Sequence, residues 1–159
     1  MKETKLTSSY KSPLGVYVMS SDGKSLTGLS LAKLQGITEQ QDHPVFTETR
    51  RWIDLYFSGE KPDFLPPLNP QGTPFQLKVW RELLTIPYGQ TTTYGEIARR
   101  LQCRSAQAIG QAVHRNPIAI IIPCHRVIGA NGSLVGYASG LEVKRELLRI
   151  ENVLLDGLS

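Results

Sequence analysis

Alternating apolar and polar residues predict a β-hairpin near the beginning of the chain. The alternation runs through residues 15–31 on both sides of Asp22-Gly23, a dipeptide typical of tight hairpin turns. Residues 44–59 then place apolar side chains at helical spacing, and Pro44 can occupy the first turn of that helix. We therefore expect a hairpin followed by an amphipathic helix.

A proline-rich segment separates this part of the chain from a second part. Residues 60–74 continue neither a helix nor a strand, because proline lacks the backbone donor that both require. We interpret this segment as a linker. The predicted organisation is an N-terminal α/β domain with its linker over residues 1–70 and a C-terminal helical domain over residues 71–159.

The second part has the pattern of several short helices and one extended segment. The predicted helices span residues 74–86, 93–101, 105–115 and 141–152. Thr93 with Glu96 has the sequence of a capping box, and Ser105 can cap the following helix. Two short helices joined by a tight turn resemble a helix-turn-helix. The apolar residues 116–127 are expected to be extended.

The helix predicted over residues 105–115 is rich in small side chains. They are Ala106, Ala108, Gly110 and Ala112. A glycine inside a helix costs about 1 kcal/mol relative to alanine, so its presence suggests a close approach of the backbone to something else. Two interpretations stay open, namely tight helix–helix packing and a thin wedge against a nucleic-acid groove.

The net charge of +4 comes entirely from the second part of the chain. Residues 1–70 hold eight basic and eight acidic side chains, whereas residues 71–159 hold ten and six. No acid occurs between Ile97 and Leu141, a stretch with five arginines: Arg99, Arg100, Arg104, Arg115 and Arg126. Such a stretch is typical of a polyanion-binding surface or of a solvated basic face.

Composition excludes several other classes of protein. The apolar runs are too short to span a bilayer, and the first ten residues lack the apolar core of a signal peptide, so we expect a cytoplasmic protein. The two cysteines, Cys103 and Cys124, are not expected to form a disulfide there. With three histidines and no CxxC or HxxxH spacing, we expect no metal site.

Cys124 follows an apolar run and lies between a proline and a histidine. A lone cysteine in such a place is usually a buried, inert thiol. If the backbone is extended, the side chains of Cys124 and His125 point apart, and His125 could take the thiol proton only through a water. Glu151 continues the apolar stripe of the last predicted helix, so it is either solvated at a frayed end or orients an imidazole.

Several stretches of the sequence together resemble one family. They are "PCHRVIGANGSLVGYASG" (123–140), "RNP" (115–117), "GTPFQLKVWRELLTIPYGQTTTYGEIA" (72–98) and "LLRIEN" (147–152), with weaker matches before the linker. The sequence resembles the methylated-DNA–protein-cysteine methyltransferases, the suicide 6-O-alkylguanine-DNA alkyltransferases.

The resemblance implies an α+β fold. Its N-terminal half has a three-stranded antiparallel sheet, and its helical C-terminal half carries the helix-turn-helix and the cysteine. It also implies a monomer that binds duplex DNA through the minor groove and flips the alkylated base into a pocket. The thiolate takes the alkyl group from 6-O-alkylguanine, with 4-O-alkylthymine as a second candidate substrate, in a single turnover that needs no cofactor.

The resemblance also assigns roles to individual residues. Cys124 is the acceptor, His125 takes its proton through a water, Glu151 orients His125, Tyr94 donates a proton to the leaving base, and Asn116 is a hinge. Residues implied to line the base pocket are Val127, Tyr137, Ala138 and Ser139. Residues implied or expected to contact DNA are Ala106, Gln107, Ala108, Gly110, Arg99, Arg100, Arg115 and Arg126. From the adjacent groups we expect a depressed thiol pKa at Cys124.

Two positions depart from the family pattern. Gln107 replaces the arginine that commonly fills the gap left by the flipped base, and Ser139 replaces a glycine in the pocket. Two rival functions are a Cys-His-Glu hydrolase or acyltransferase and a non-catalytic lesion-binding protein of the same fold. The first leaves the acid-free arginine stretch unexplained, and relatives of the second kind lack the acceptor cysteine.

Overall fold

The computed structural model describes residues 6–32, 42–130, 132, 134, 136, 137 and 139–153. The chain divides into two compact units. The first comprises residues 1–71 and 117–119, and the second comprises residues 72–116 and 120–159.

The first unit is built on a three-stranded antiparallel sheet. Its strands are β1 (Leu6–Ser12), β2 (Gly15–Ser21) and β3 (Leu26–Leu31), in the order β1-β2-β3. The predicted hairpin is therefore confirmed as β2 and β3. Its turn is held by Asp22, whose Oδ1 accepts from the backbone amides of Lys24 at 2.9 Å and Ser25 at 2.8 Å.

The outer edge of β3 is covered by two irregular segments of the same unit. Leu26 donates to the carbonyl of Pro67 at 2.7 Å, within the proline-rich segment. Leu29 donates to the carbonyl of Pro117 at 2.9 Å and accepts from Ala119 at 2.8 Å. These bonds satisfy the β3 groups that an exposed sheet edge would leave unpaired.

The helix α1 (Pro44–Phe57) packs on this sheet. Its N-cap is His43, whose Nδ1 accepts from the amide of Val45 at 3.2 Å, and Pro44 occupies the first turn as predicted. The helix buries an apolar stripe that includes Phe46, Ile53 and Tyr56. This stripe and the inward side chains of the sheet form the core of the first unit.

The second unit contains the predicted short helices. They are α2 (Pro74–Leu83), α3 (Tyr94–Arg100), α4 (Ala106–His114) and α5 (Leu141–Ile150). Thr93 caps α3 by accepting from the amide of Glu96, and Ser105 caps α4 by accepting from the amide of Ala108. Residues 101–105 join α3 to α4 and complete the predicted helix-turn-helix. Trp80 of α2 fastens α4 by donating to the carbonyl of Ala112 at 2.8 Å.

The prediction that residues 116–127 are extended is wrong. Residues 119–122 turn instead, and residues 124–126 form a short 3₁₀ helix. Ile120 adopts a φ of 69°, a region that a β-branched residue rarely enters. A two-residue strand, β5 (Val127–Ile128), follows and pairs in parallel with β4 (Thr92–Thr93). Tertiary packing thus overrides the apolar run's preference for a strand.

No helix among the described residues is long and apolar enough to cross a membrane.

Candidate active site

Cys124 opens the 3₁₀ turn, directly after the buried residues Ile121, Ile122 and Pro123. Its side chain is a free, buried thiol. Asn116 stabilises this turn, because its Nδ2 donates to the carbonyl of Ile122 at 2.7 Å. Its side chain also hydrogen-bonds Cys124. The predicted hinge asparagine therefore contacts both the thiol and the backbone that carries it.

His125 and Glu151 form a fully buried pair in the second unit. Nε2 of His125 lies 2.5 Å from Oε2 of Glu151, and neither side chain has any exposed surface. Glu151 is the C-cap residue of α5 and is not solvated, so the frayed-end alternative is wrong. Because Nε2 is bound to the carboxylate, Nδ1 is the ring nitrogen that can exchange a proton with a thiol or a water.

The second oxygen of Glu151 is also occupied. Its Oε1 accepts from Nε of Arg126 at 2.8 Å and from the amide of Gly89 at 2.9 Å. Burial raises the pKa of Glu151, but the hydrogen bonds and charges of His125 and Arg126 outweigh it and lower the pKa to about 2. Burial lowers the pKa of His125, so the pair rests as a carboxylate beside a neutral imidazole.

The expectation that Arg126 contacts DNA does not fit its buried position in the structure. Its guanidinium is buried between Glu151, the carbonyl of Ile86 at 2.8 Å and the ring face of Tyr88 at 5.7 Å. A buried arginine committed to a carboxylate cannot reach a phosphate. Its function in the structure is to fix Glu151, which in turn orients His125.

The expected depression of the thiol pKa at Cys124 is also wrong. Burial raises the pKa of Cys124 above its ordinary value. Hydrogen bonds from Asn116 and Tyr137 and the charge of Lys144 oppose that rise without reversing it. The resting thiol is therefore protonated, and it becomes a nucleophile only when its proton is removed.

Lys144 belongs to the site although no motif in the sequence indicated it. This lysine of α5 is completely buried, and its Nζ donates to the carbonyl of Gly136 at 3.3 Å. Burial lowers its pKa to about 8, while the nearby Cys124 favours its charged form. Lys144 precedes Glu151 by seven residues, so the helical period that indicated one face for Val143, Leu147 and Glu151 also puts Lys144 close to that face. The seven-residue spacing between Lys144 and Glu151 is the feature of the sequence that could have indicated this lysine.

Tyr94 begins α3 and is half-buried. Burial, and then the nearby Cys124, raise the pKa of its hydroxyl to about 12. That hydroxyl lies 3.3 Å from Nε2 of His114, at the end of α4. The edge of the Tyr94 ring also faces Gly110, where an added Cβ would lie 3.7 Å from Cδ1. Tyr94 therefore keeps its proton at neutral pH, and it lies near Cys124 and in contact with α4.

Two family models cover most of the chain. One, described as "6-O-methylguanine DNA methyltransferase, DNA binding domain", matches residues 74–153. The other, described as "6-O-methylguanine DNA methyltransferase, ribonuclease-like domain", matches residues 5–70. The chain belongs to the 6-O-methylguanine DNA methyltransferase family.

Individual members of this family are similar over nearly their whole length. The methylated-DNA–protein-cysteine methyltransferase of Methanosarcina acetivorans is 46% identical over 148 residues, covering 89% of this chain and 95% of the relative. That of Mycobacterium leprae is 44% identical and covers 90% of both chains. The crystal structure of Mycobacterium tuberculosis OGT in complex with DNA has a TM-score of 0.83, 43% identity and 91% coverage of both chains. These matches confirm the predicted fold class.

The structure describes three of the four residues that were predicted to line the base pocket. Val127 is completely buried in β5. Tyr137 and Ser139 are half-buried, and Tyr137 lies close enough to Cys124 to affect its pKa. Ala138 lies outside the described residues. In the described part of the chain, no three His, Cys, Asp or Glu side chains are grouped so that they could hold a metal ion.

The small residues of α4 serve different purposes in this family member. Ala106 and Gln107 are exposed at the start of the helix, and Ala108 is half-buried. Gly110 faces the ring of Tyr94. The close approach that the mid-helix glycine suggested is therefore partly to a side chain of α3, while Ala106 and Gln107 lie on a surface open to a partner.

The predicted DNA-binding arginines are not equivalent. Arg99 and Arg100 both bind the carboxylate of Glu96, at 2.5 and 3.2 Å, and Arg100 also lies 3.7 Å from Glu82. The hydrogen bonds from the two arginines lower the pKa of Glu96 to about 2. Arg115 is exposed at the C-terminal end of α4. Glu82 and Glu96, which precede the acid-free stretch, thus neutralise part of the positive charge of that stretch.

Proposed function

We propose that this protein is a methylated-DNA–protein-cysteine methyltransferase that repairs DNA by moving the alkyl group of 6-O-alkylguanine onto its own Cys124, with 4-O-alkylthymine as a second candidate substrate. The observation that carries the proposal is the buried His125–Glu151 pair, 2.5 Å apart, with its imidazole adjacent in sequence to a protonated thiol. Relatives at 42–47% identity bear this name.

The first step is removal of the thiol proton. His125 is neutral because burial lowers its pKa, so its Nδ1 has a lone pair for the proton of Cys124, passed through a water. The carboxylate of Glu151 stabilises the imidazolium that forms, and it stays ionised because Arg126 and Gly89 donate to it. The charge of Lys144 stabilises the thiolate.

The second step is the alkyl transfer. The sulfur of Cys124 attacks the alkyl carbon, an S–C bond forms, and the C–O bond to the base breaks with its electron pair remaining on the base. Tyr94 donates a proton to the base, and the proton held by His125 returns to the tyrosinate through solvent. The net change exchanges the thiol proton for the alkyl group. A thioether cannot release its alkyl group under these conditions, so each molecule acts once, and the reaction needs no cofactor.

We propose that duplex DNA binds through its minor groove to the exposed face of α4. The relative solved in complex with DNA and the matched DNA-binding family model support DNA as the partner. Gln107, exposed on α4, would fill the gap left by the flipped base. It is shorter than arginine but still has two donors and one acceptor. Val127, Tyr137, Ala138 and Ser139 would line the pocket that receives the base.

The remaining parts of the proposal concern organisation. Residues 71–159 form the alkyltransferase domain and residues 1–70 the N-terminal α/β domain with its linker. The protein acts as a monomer in the cytoplasm, where its two cysteines stay reduced. Both cysteines are free thiols in the structure.

The decisive experiment is the mass of the intact protein after incubation with a duplex that contains one 6-O-methylguanine. We expect one added CH₂ per molecule, located by peptide mapping on the peptide with Cys124 and not on that with Cys103. Cys103→Ser is the matched control and should react fully, whereas Cys124→Ser should not react. Turnover without an adduct would indicate the rival hydrolase, and binding without an adduct would indicate the rival lesion-binding protein.

A second experiment tests base flipping. Extrusion of a paired base costs a few kcal/mol, and less for an unpaired one. We therefore expect Gln107→Ala to slow repair of a duplex more than repair of the same single strand, and Gln107→Arg to speed repair of the duplex. Equal rates for the three proteins on duplex DNA would show that Gln107 does not fill the gap.

A further inference from the structure

A tyrosine and a histidine meet at the junction of α3 and α4. The hydroxyl of Tyr94 lies 3.3 Å from Nε2 of His114. The two rings are nearly perpendicular, at 83°, with centroids 6.1 Å apart. A perpendicular arrangement puts the phenolic oxygen near the ring edge of the imidazole, where its nitrogens can donate or accept a proton.

The backbone of Gly136 holds the His114 ring from another side. A Cβ added at Gly136 would lie 2.5 Å from Cε1 and 2.6 Å from Nε2 of His114, and Gly136 has a φ of 51°. Only a glycine leaves room for the imidazole there. The backbone of Gly136 also hydrogen-bonds His114. The ring therefore has a defined position although one side of it is open to solvent.

Among the described residues, two titratable side chains and one helix end face His114. Tyr94 approaches from α3, with Cys124 beyond it, and Lys144 approaches from α5. Burial and the charge of Lys144 lower the pKa of His114, while the hydrogen bond with Gly136 partly opposes them, as does the C-terminal end of α4. His114 is thus neutral at neutral pH, and it takes up a proton only below the ordinary histidine pKa of 6.5.

We propose that His114 is a positioning residue for Tyr94 and that its protonation decides whether the hydroxyl proton of Tyr94 faces the imidazole or the substrate base. This inference rests on the proposed function, in which Tyr94 protonates the leaving base. Helix α4 thereby contributes a residue to the transfer step in addition to binding DNA.

The two states balance in protons. In the neutral state, Nε2 of His114 accepts the hydroxyl proton of Tyr94, which is then turned away from the base. In the protonated state, Nε2–H donates to the oxygen of Tyr94, so the hydroxyl proton is available to the base. When Tyr94 gives up that proton, the imidazolium of His114 replaces it through the same hydrogen bond, and the proton released by His125 then reaches His114 through solvent.

The test is a pH profile of the single-turnover transfer rate at saturating protein, for wild type and for His114→Gln. Glutamine keeps a donor and an acceptor near Tyr94 but does not titrate. The ratio of the wild-type rate to the variant rate should be constant above the ordinary histidine pKa of 6.5 and should rise about two- to tenfold below it, the effect of one ordinary hydrogen bond. A ratio independent of pH overturns the inference.

Two controls separate this role from others. In a Tyr94→Phe background, His114→Gln should no longer alter the pH profile, and an unchanged effect there would show that His114 does not act through Tyr94. The rate ratio should not change when the saturating protein concentration is doubled, because a ratio that shrinks at the higher concentration would indicate a phosphate contact of His114 instead.

Failure of the proposed function is distinguishable from failure of this inference. If wild type forms no adduct on Cys124 at any pH, the function itself is wrong. If the adduct forms normally and only the pH-dependent ratio is absent, the inference about His114 is wrong. Circular dichroism shows whether the variant is folded, and His114→Asn replaces it if it is not.

Discussion

Glu151 is the residue on which the arrangement of the site depends most. It accepts hydrogen bonds from His125, Arg126 and Gly89 while completely buried. A buried carboxylate is stable only when its charge is compensated, and here one guanidinium and two further donors do so. The same contacts give His125 its orientation, so stability and chemistry share one set of hydrogen bonds.

We expect Glu151→Gln to lower the free energy of unfolding at neutral pH by about 3 kcal/mol. The pKa of Glu151 falls from 4.5 to about 2 on folding, so its contribution is complete above pH 4.5 and is lost as the pH falls through 2. The difference between wild type and variant should therefore shrink in acid. Chemical denaturation between neutral pH and pH 2 measures it.

Glu146→Gln is the matched control, because Glu146 lies on the same helix and has only an exposed partner, Arg149, at 3.4 Å. Surface ion pairs contribute about 0–1 kcal/mol, so this variant should unfold almost as wild type does. If the two substitutions lower the free energy of unfolding equally, the buried contacts of Glu151 do not stabilise the protein more than a surface ion pair does.

Lys144 affects stability and reactivity in opposite directions. We expect Lys144→Met to leave the free energy of unfolding at neutral pH unchanged or to raise it by up to about 3 kcal/mol, since folding lowers the pKa of this lysine from 10.5 to about 8. The same change removes a charge that favours the thiolate, so alkylation of Cys124 by iodoacetamide should slow. Lys78→Met, on the exposed face of α2, should change neither quantity. Faster alkylation in Lys144→Met would exclude a stabilised thiolate.

At the scale of elements, α4 combines a packing face with an exposed face. Ile109, Ala112 and Val113 are buried, whereas Gln107 and His114 are exposed. The cap at Ser105 and the bond from Trp80 fix this helix from two sides. A short helix of nine residues is not stable by itself, so these tertiary contacts are what orient its exposed face.

Gly110→Ala distinguishes the two purposes suggested for the mid-helix glycine. The new methyl group would meet the Tyr94 ring at 3.7 Å, an ordinary van der Waals distance. We expect a gain of about 1 kcal/mol in the free energy of unfolding, from higher helix propensity. Affinity for duplex DNA should be unchanged, because the methyl group faces Tyr94. A clear loss of affinity in a binding titration would favour the wedge against a groove.

At the scale of the whole molecule, the excess of positive charge lies in residues 71–159. Some of it is neutralised where Glu96 binds Arg99 and Arg100, and Arg115 is exposed at the end of α4. Arginines already bound to a carboxylate have less to gain from a phosphate. The surface charge available to DNA is therefore smaller, and placed differently, than the arginine count suggests.

We expect binding to undamaged duplex DNA to weaken steeply with salt, whatever its sequence. Arg115→Ala should reduce the slope of log affinity against log salt by about 0.9, the value for one phosphate contact. Arg99→Ala should reduce it less, because Glu96 already holds that side chain. Arg149→Ala, on α5 and paired with Glu146, is the control and should leave the slope unchanged. Affinity that does not vary with salt would contradict an electrostatic interface.

The sequence by itself determined the features that depend on neighbouring residues. The hairpin turn at Asp22-Gly23, the start of α1 at Pro44 and the caps Thr93 and Ser105 are all present as predicted. Each involves residues within about four positions of one another, where a side chain meets its own backbone before any tertiary packing. The tripeptide at Cys124 indicated the family for a similar reason, because its motif is contiguous.

Only the tertiary structure decided the state of the site. His125 meets Glu151 across 26 positions and Arg126 meets Ile86 across 40, so no local pattern could show that this arginine faces inward. The raised thiol pKa likewise comes from complete burial, which depends on how the surrounding elements pack and not on the adjacent histidine. Packing also turned residues 119–122 out of the extended conformation that their apolar side chains favour, and so placed the thiol in a 3₁₀ turn.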